Sequence, residues 1–112
     1  MEMISAIDAL SALAQASRLA VYRLLVRQGP EGLAAGAIAR RLGIPGATLS
    51  FHLAQLSRAG LVTARRESRS IIYSADFARM QGLVDYLTEN CCQGQPDACA
   101  VTPCDCAPAA AG

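Results

Sequence analysis

Apolar residues recur at helical spacing almost from the start of this chain. Ile4, Ile7, Ala9 with Leu10, and Leu13 form one stripe, which predicts a first helix over Met3 to Leu13. A second is predicted over Arg18 to Gln28, with Ser17 as its N-cap, Leu19, Leu24 and Leu25 as its buried stripe, and Gly29-Pro30 as its stop. From Ala34 to Leu42 a third helix places Ile38 and Leu42 on one face and closes at Gly43. After a tight turn through Ile44, Pro45 opens a fourth helix that runs through Thr48 to Arg58. Leu49, Leu53 and Leu56 line its inner face, and Gly60 ends it. The period then shortens. Leu61 to Arg66 and Ser70 to Ser74 read as strands, with Glu67-Ser68-Arg69 as a hairpin hinge. The last segment, about Asp76 to Glu89, puts Phe77, Met80, Leu83, Val84 and Leu87 on one stripe, with Tyr86 beside it.

The expected fold is therefore mainly α with a two-stranded β-hairpin, an α+β winged helix-turn-helix. Two short helices joined by a tight turn, followed at once by a basic hairpin, are more specific as an ordered set than any one piece. The arrangement leaves Thr48, Ser50, Phe51 and Gln55 off the leucine stripe, where they can meet a DNA major groove. Arg65, Arg66 and Arg69 on the hairpin would reach phosphates or the minor groove. A chain of 112 residues cannot easily bury both its first and last apolar stripes. A homodimer through the first and last helices is expected, and its symmetry would set two reading helices about 34 Å apart. Tyr73 is expected to pack the wing and Met80 the core.

Charge sharpens this picture. The net charge is only +1 and every basic residue is arginine, but the distribution is uneven. Six arginines lie between Arg40 and Tyr73 against a single acid, Glu67, which is the footprint of a polyanionic partner or of a solvated arginine face. No apolar run approaches the roughly 18 residues of a membrane span, so no membrane partner is expected. Outside the tail thiols there is no nucleophile and base pair, phosphate-binding glycine loop or carboxylate constellation, so an enzyme is not expected.

The cysteines lie apart from all this. Cys91, Cys92, Cys99, Cys104 and Cys106 follow ninety residues that contain none. Residues 1–90 thus read as a DNA-binding and dimerisation domain, and 91–112 as a cysteine-rich sensor segment, flexible without ligand. The start, Met1-Glu2-Met3-Ile4-Ser5, lacks an export-signal pattern, so a cytoplasmic location is expected. In a reducing compartment clustered thiols bind metals or sense redox state more often than they form structural bridges. A thiol-based metallochaperone whose helix-turn-helix is only an interaction fold is a second class consistent with these residues.

The run Ser50-Phe51-His52-Leu53-Ala54-Gln55-Leu56-Ser57-Arg58-Ala59-Gly60-Leu61-Val62 resembles the signature of the ArsR/SmtB family of bacterial metal-responsive repressors. The likeness extends from about Ile4 to Tyr86. It implies a dimeric winged-helix repressor that binds operator DNA and releases it when an inducer binds. It also carries over Thr48, Ser50, Phe51, His52 and Gln55 as the reading face. The residues alone leave His52 open between a phosphate or base contact and a local helix contact.

Sensor sites vary within that family. This chain lacks the cysteine pair that arsenical sensors carry at the start of the helix corresponding to Ala34–Leu42, and it lacks the histidines of zinc sensors on the last helix. Cysteines just beyond the last helix resemble instead those of the arsenite-responsive members. Trivalent arsenic is thiophilic and is satisfied by three thiolates, whereas zinc generally takes four ligands. Cys91, Cys92 and Cys99 are accordingly the expected ligands of arsenite, with antimonite as a further candidate inducer. Three alternatives stay open. Cys104 and Cys106 could replace Cys99 or form a second site. Two thiols alone could sense methylated trivalent arsenicals or act as a persulfide or disulfide switch. Four thiols could wrap zinc or cadmium.

Overall fold

The computed structural model describes residues 1–89. The chain runs α1 (Met3–Leu13), α2 (Ala16–Gln28), a 3₁₀ turn (Gly29–Glu31), β1 (Leu33–Ala34), α3 (Ala35–Leu42), α4 (Gly46–Arg58), β2 (Val62–Glu67), β3 (Ser70–Ala75) and α5 (Phe77–Leu87). All five expected helices form. Local chemistry sets their ends: Gly43 adopts a left-handed conformation at the end of α3, and the Asp76 side chain caps α5 by accepting from the Arg79 amide at 3.0 Å. The N-cap of α2 differs from expectation. Gln15, not Ser17, accepts from the Arg18 amide at 2.9 Å, which moves the start of the helix to Ala16.

The sheet has three strands rather than two. β3 lies in the centre of an antiparallel order β1-β3-β2, with Leu33 opposite Tyr73 and Ala34 opposite Ile72. Gly32 makes this pairing feasible. Its φ is +69°, and a Cβ there would run into the Tyr73 carbonyl oxygen. The chain thus passes closer to β3 than any residue with a side chain could.

The core gathers around Val21, Leu25, Ile38, Leu49, Leu53, Leu56 and Leu61, all fully buried. Met80 packs against it, as expected, and so does Tyr73 of the wing strand β3. Helix α1 meets this core through alanines. Ala6, Ala9 and Ala12 are buried, whereas Ile4, Ile7 and Leu10 are 68%, 52% and 43% exposed. Helix α5 does likewise: Leu83 points in, and Phe77, Val84 and Leu87 point out. Leu19, expected in the buried stripe of α2, also faces solvent, and Val21 and Tyr22 take the inner positions.

Candidate nucleic-acid interface

Helices α3 and α4 form the helix-turn-helix, joined by Gly43 to Pro45, with the Ile44 amide bonded back to the Ala39 carbonyl at 3.1 Å. Leu49, Leu53 and Leu56 fasten α4 to the core, which fixes the opposite side as its outward face. Thr48, Ser50 and Phe51 lie on that exposed surface. Gln55 sits lower. It is half-buried, accepts from Arg58 Nη1 at 3.2 Å, and lines a cleft of about 300 Å³ that also includes Asp8 and Arg18.

His52 is turned inward, contrary to the expectation that it shares the reading face. It is 7% exposed, and its Nδ1 lies 3.5 Å from Arg18 Nη1, while Arg18 Nε donates to the Ala12 carbonyl at 2.7 Å. His52 therefore joins α4 to the junction of α1 and α2, which is the local-contact alternative. The residues directly opposite the leucine stripe also include Ala47, Ala54 and Arg58, all exposed and not singled out from the sequence. Helical spacing from Phe51 would have found them.

The wing is the β2–β3 hairpin, buried at its base through Val62 and Ala75, half-buried along Ile72 to Ser74 of β3, and exposed along β2 from Thr63 and at its tip. Glu67 pairs with Ser70, so the loop is only Ser68-Arg69, and Ser68 takes φ +57°. The three wing arginines have different environments. Arg65 is clamped: its Nε bonds Glu67 at 2.7 Å, and its Nη1 and Nη2 donate to the Pro30 and Glu31 carbonyls at 3.3 and 2.8 Å. It ties the wing to the 3₁₀ turn instead of projecting as a phosphate contact. Arg66 and Arg69 are exposed and have no hydrogen-bond or ion-pair partner among the described residues.

One buried group nearby is under electrostatic stress. The Tyr22 hydroxyl has no hydrogen-bond partner among the described residues, and burial, aided by the Asp76 carboxylate, pushes its pKa above the ordinary value. Among the described residues no three His, Cys, Asp or Glu side chains converge on a metal-sized site. The expected ligands Cys91, Cys92 and Cys99, and the alternatives Cys104 and Cys106, lie outside the described residues, as does the segment 91–112. No helix among the described residues is long and apolar enough to cross a membrane.

A core-anchored helix with an exposed face, flanked by a basic two-residue hairpin tip, defines a winged helix-turn-helix DNA-binding transcription regulator. The comparisons agree. A family model described as a helix-turn-helix domain matches residues 13–65. Transcriptional activator HlyU of Vibrio cholerae is 31% identical over 88 residues, 79% of each chain. Nodulation protein NolR of Rhizobium meliloti is 39% identical over 66 residues, but these span only 52% of its length and 59% of this chain.

Solved structures extend the likeness. An ArsR-like regulator from Rhodococcus sp. RHA1 superposes with a TM-score of 0.68 at 25% identity, covering 75% of this chain and 76% of that one. The homodimeric winged helix-turn-helix domain of a possible ArsR-family regulator from Mycobacterium bovis gives 0.63 at 32%, covering 84% and 87%. A possible transcriptional regulator for arsenical resistance gives 0.60 at 27%, covering 72% and 84%. The chain belongs to the ArsR family of winged-helix, DNA-binding transcriptional regulators.

Proposed function

We propose that this protein is an arsenic-responsive repressor. It binds operator DNA as a homodimer in the cytoplasm and is released when trivalent arsenic binds the thiolates of Cys91, Cys92 and Cys99. The observation that carries the reading is the placement of five cysteines just past the end of α5, a helix whose outward face stays apolar and uncovered. With Ile4, Ile7 and Leu10 of α1, the residues Phe77, Val84 and Leu87 supply a surface that a two-fold partner would bury. A regulator described in connection with arsenical resistance is among the structural relatives, and another is described as homodimeric. Three soft sulfurs match the trigonal preference of arsenite, and of antimonite by the same chemistry. Ligation would redirect the end of α5 and shift the two protomers. A coupling of about 1 to 3 kcal/mol, roughly 5- to 150-fold in affinity, is the usual size of such an effect.

The test is fluorescence anisotropy of the fully reduced protein on DNA from its own upstream region, titrated with arsenite and, as control, zinc. Release near one arsenite per subunit, abolished by Cys91→Ser, Cys92→Ser or Cys99→Ser, is the expected result. DNA binding that arsenite leaves intact would sink the inducer assignment. A second reading is then preferred, a two-thiol sensor of methylated arsenicals or of persulfide and disulfide state. The redox form of this reading is favoured by the relative HlyU, one of whose solved structures is described as reduced.

A further inference from the structure

Apart from Arg58 at its last residue, the outward side of α4 carries no fully exposed group of the kind that discriminates bases by paired hydrogen bonds. Specific reading of guanine uses arginine or lysine, and of adenine asparagine or glutamine. Between Gly46 and Ser57 the exposed side chains include Ala47, Thr48, Ser50, Phe51, Ala54 and Ser57. The one amide, Gln55, is half-buried and already accepts from Arg58, which stands at the end of the helix. Hydroxyls bond any base edge, so they discriminate little. Apolar surface in the major groove has one matching feature, the C5 methyl of thymine.

Phe51 is the centre of that surface. It is 58% exposed, with Ala47 one turn before it and Ala54 one turn after, on a ridge about 10 Å long that faces about three base pairs. Its ring meets His52 edge-on, with centroids 5.9 Å apart and planes at 61°. His52 is itself buried, so this edge contact gives Phe51 a fixed neighbour in its outward pose.

We infer that α4 reads its operator through thymine methyl groups. Phe51, flanked by Ala47 and Ala54, packs on C5 methyls near the centre of each half-site, and sequence choice there rests on apolar contact rather than on bidentate hydrogen bonds. The inference rests on the reading that α4 enters the major groove, but it is independent of which inducer the tail binds.

The test enriches duplexes from a randomised library on the full-length reduced protein, then resynthesises them with deoxyuridine for thymine in the half-sites. Uracil pairs as thymine does and lacks only the methyl. Enriched half-sites should carry A·T pairs at their centres, and affinity should fall about fourfold for each contacted methyl removed, the worth of one buried methylene-sized group. Phe51→Ala should bind both duplexes alike, and Phe51→Leu should keep most of the difference. Equal binding of the thymine and uracil duplexes by the unaltered protein would overturn the inference, as would an undiminished difference in Phe51→Ala. Adding arsenite separates the two proposals: a methyl effect without arsenite release removes the inducer and keeps the readout. Failure to enrich any duplex removes both.

Discussion

Replacing Ile7 by glutamate probes the outward face of α1, where half of this side chain remains uncovered. Ile7 is 52% exposed, while its neighbours Ala6 and Ala9 carry the contact with the core. Complete burial of an isoleucine is worth about 1.5 to 3 kcal/mol, so the uncovered half is worth about 1 kcal/mol in each copy. A two-fold interface holds the residue twice, for about 2 kcal/mol. Glutamate forfeits that and buries a carboxylate on each side, which adds at least about 1 kcal/mol per copy. The sum is about 4 kcal/mol, roughly a thousandfold in the dimer dissociation constant. Sedimentation equilibrium over a concentration series measures this directly, with thermal unfolding by circular dichroism as the control. A dimer as tight as that of the unaltered protein would refute the assignment of this face. So would collapse of the helical signal, because an outward side chain should be dispensable to the protomer.

Four further substitutions address the fold and the wing. Gly32→Ala meets both a positive φ and the Tyr73 carbonyl, and should lower stability by about 2 kcal/mol or more. Gly29→Ala, at φ +74° in open space, should lower it less, and equal melting temperatures would contradict the close-approach account. Tyr22→Phe removes a buried hydroxyl that has no partner among the described residues and should be neutral or stabilise by about 1 kcal/mol. Because the folded-state phenol holds its proton more tightly than the unfolded one, stability from this group is intact below about pH 10 and falls as pH rises further. The phenylalanine variant should lose that part of the alkaline decline, and an unchanged pH profile would show that Tyr22 does not govern it. Arg69→Ala should flatten the dependence of log affinity on log salt by about two for a dimer, one phosphate per wing, with sequence preference kept. Altered preference would mean that Arg69 reads bases.

The helices were legible in the sequence because leucine periodicity and glycine or proline punctuation agree at each boundary. Strand β1 was not. Two residues cannot display an alternation, and their pairing depends on the backbone approach at Gly32, forty positions from its partner strand. The reading face was only partly legible. The Leu49, Leu53 and Leu56 stripe gives its direction, but His52 borders that stripe, and its side chain went inward to Arg18 of α2. Arg65 looked equivalent to Arg66 and Arg69 as a charge. Its clamp to Pro30 and Glu31 exists only after the chain folds back over more than thirty residues. In α1 the pattern showed a stripe without saying which way it faced, since the alanines that fit against the core are silent in a hydrophobic profile dominated by Ile4, Ile7 and Leu10.

The entry to α5 is fastened to the exit of the reading helix. The Asp76 amide bonds the Leu61 carbonyl at 2.8 Å, and the Arg79 guanidinium rests on Gly60, whose φ of +79° and missing side chain make room for it. Eleven residues later α5 ends, and the sequence runs on to Cys91. At about 1.5 Å per residue the helix is a rod about 16 Å long, so tilting it by about 5° at the cysteine end moves the other end by about 1.4 Å. That end is joined to Gly60 and Leu61, just past α4, so on the proposed function α5 would act as a lever that carries a movement at the tail to the joint between the reading helix and the wing.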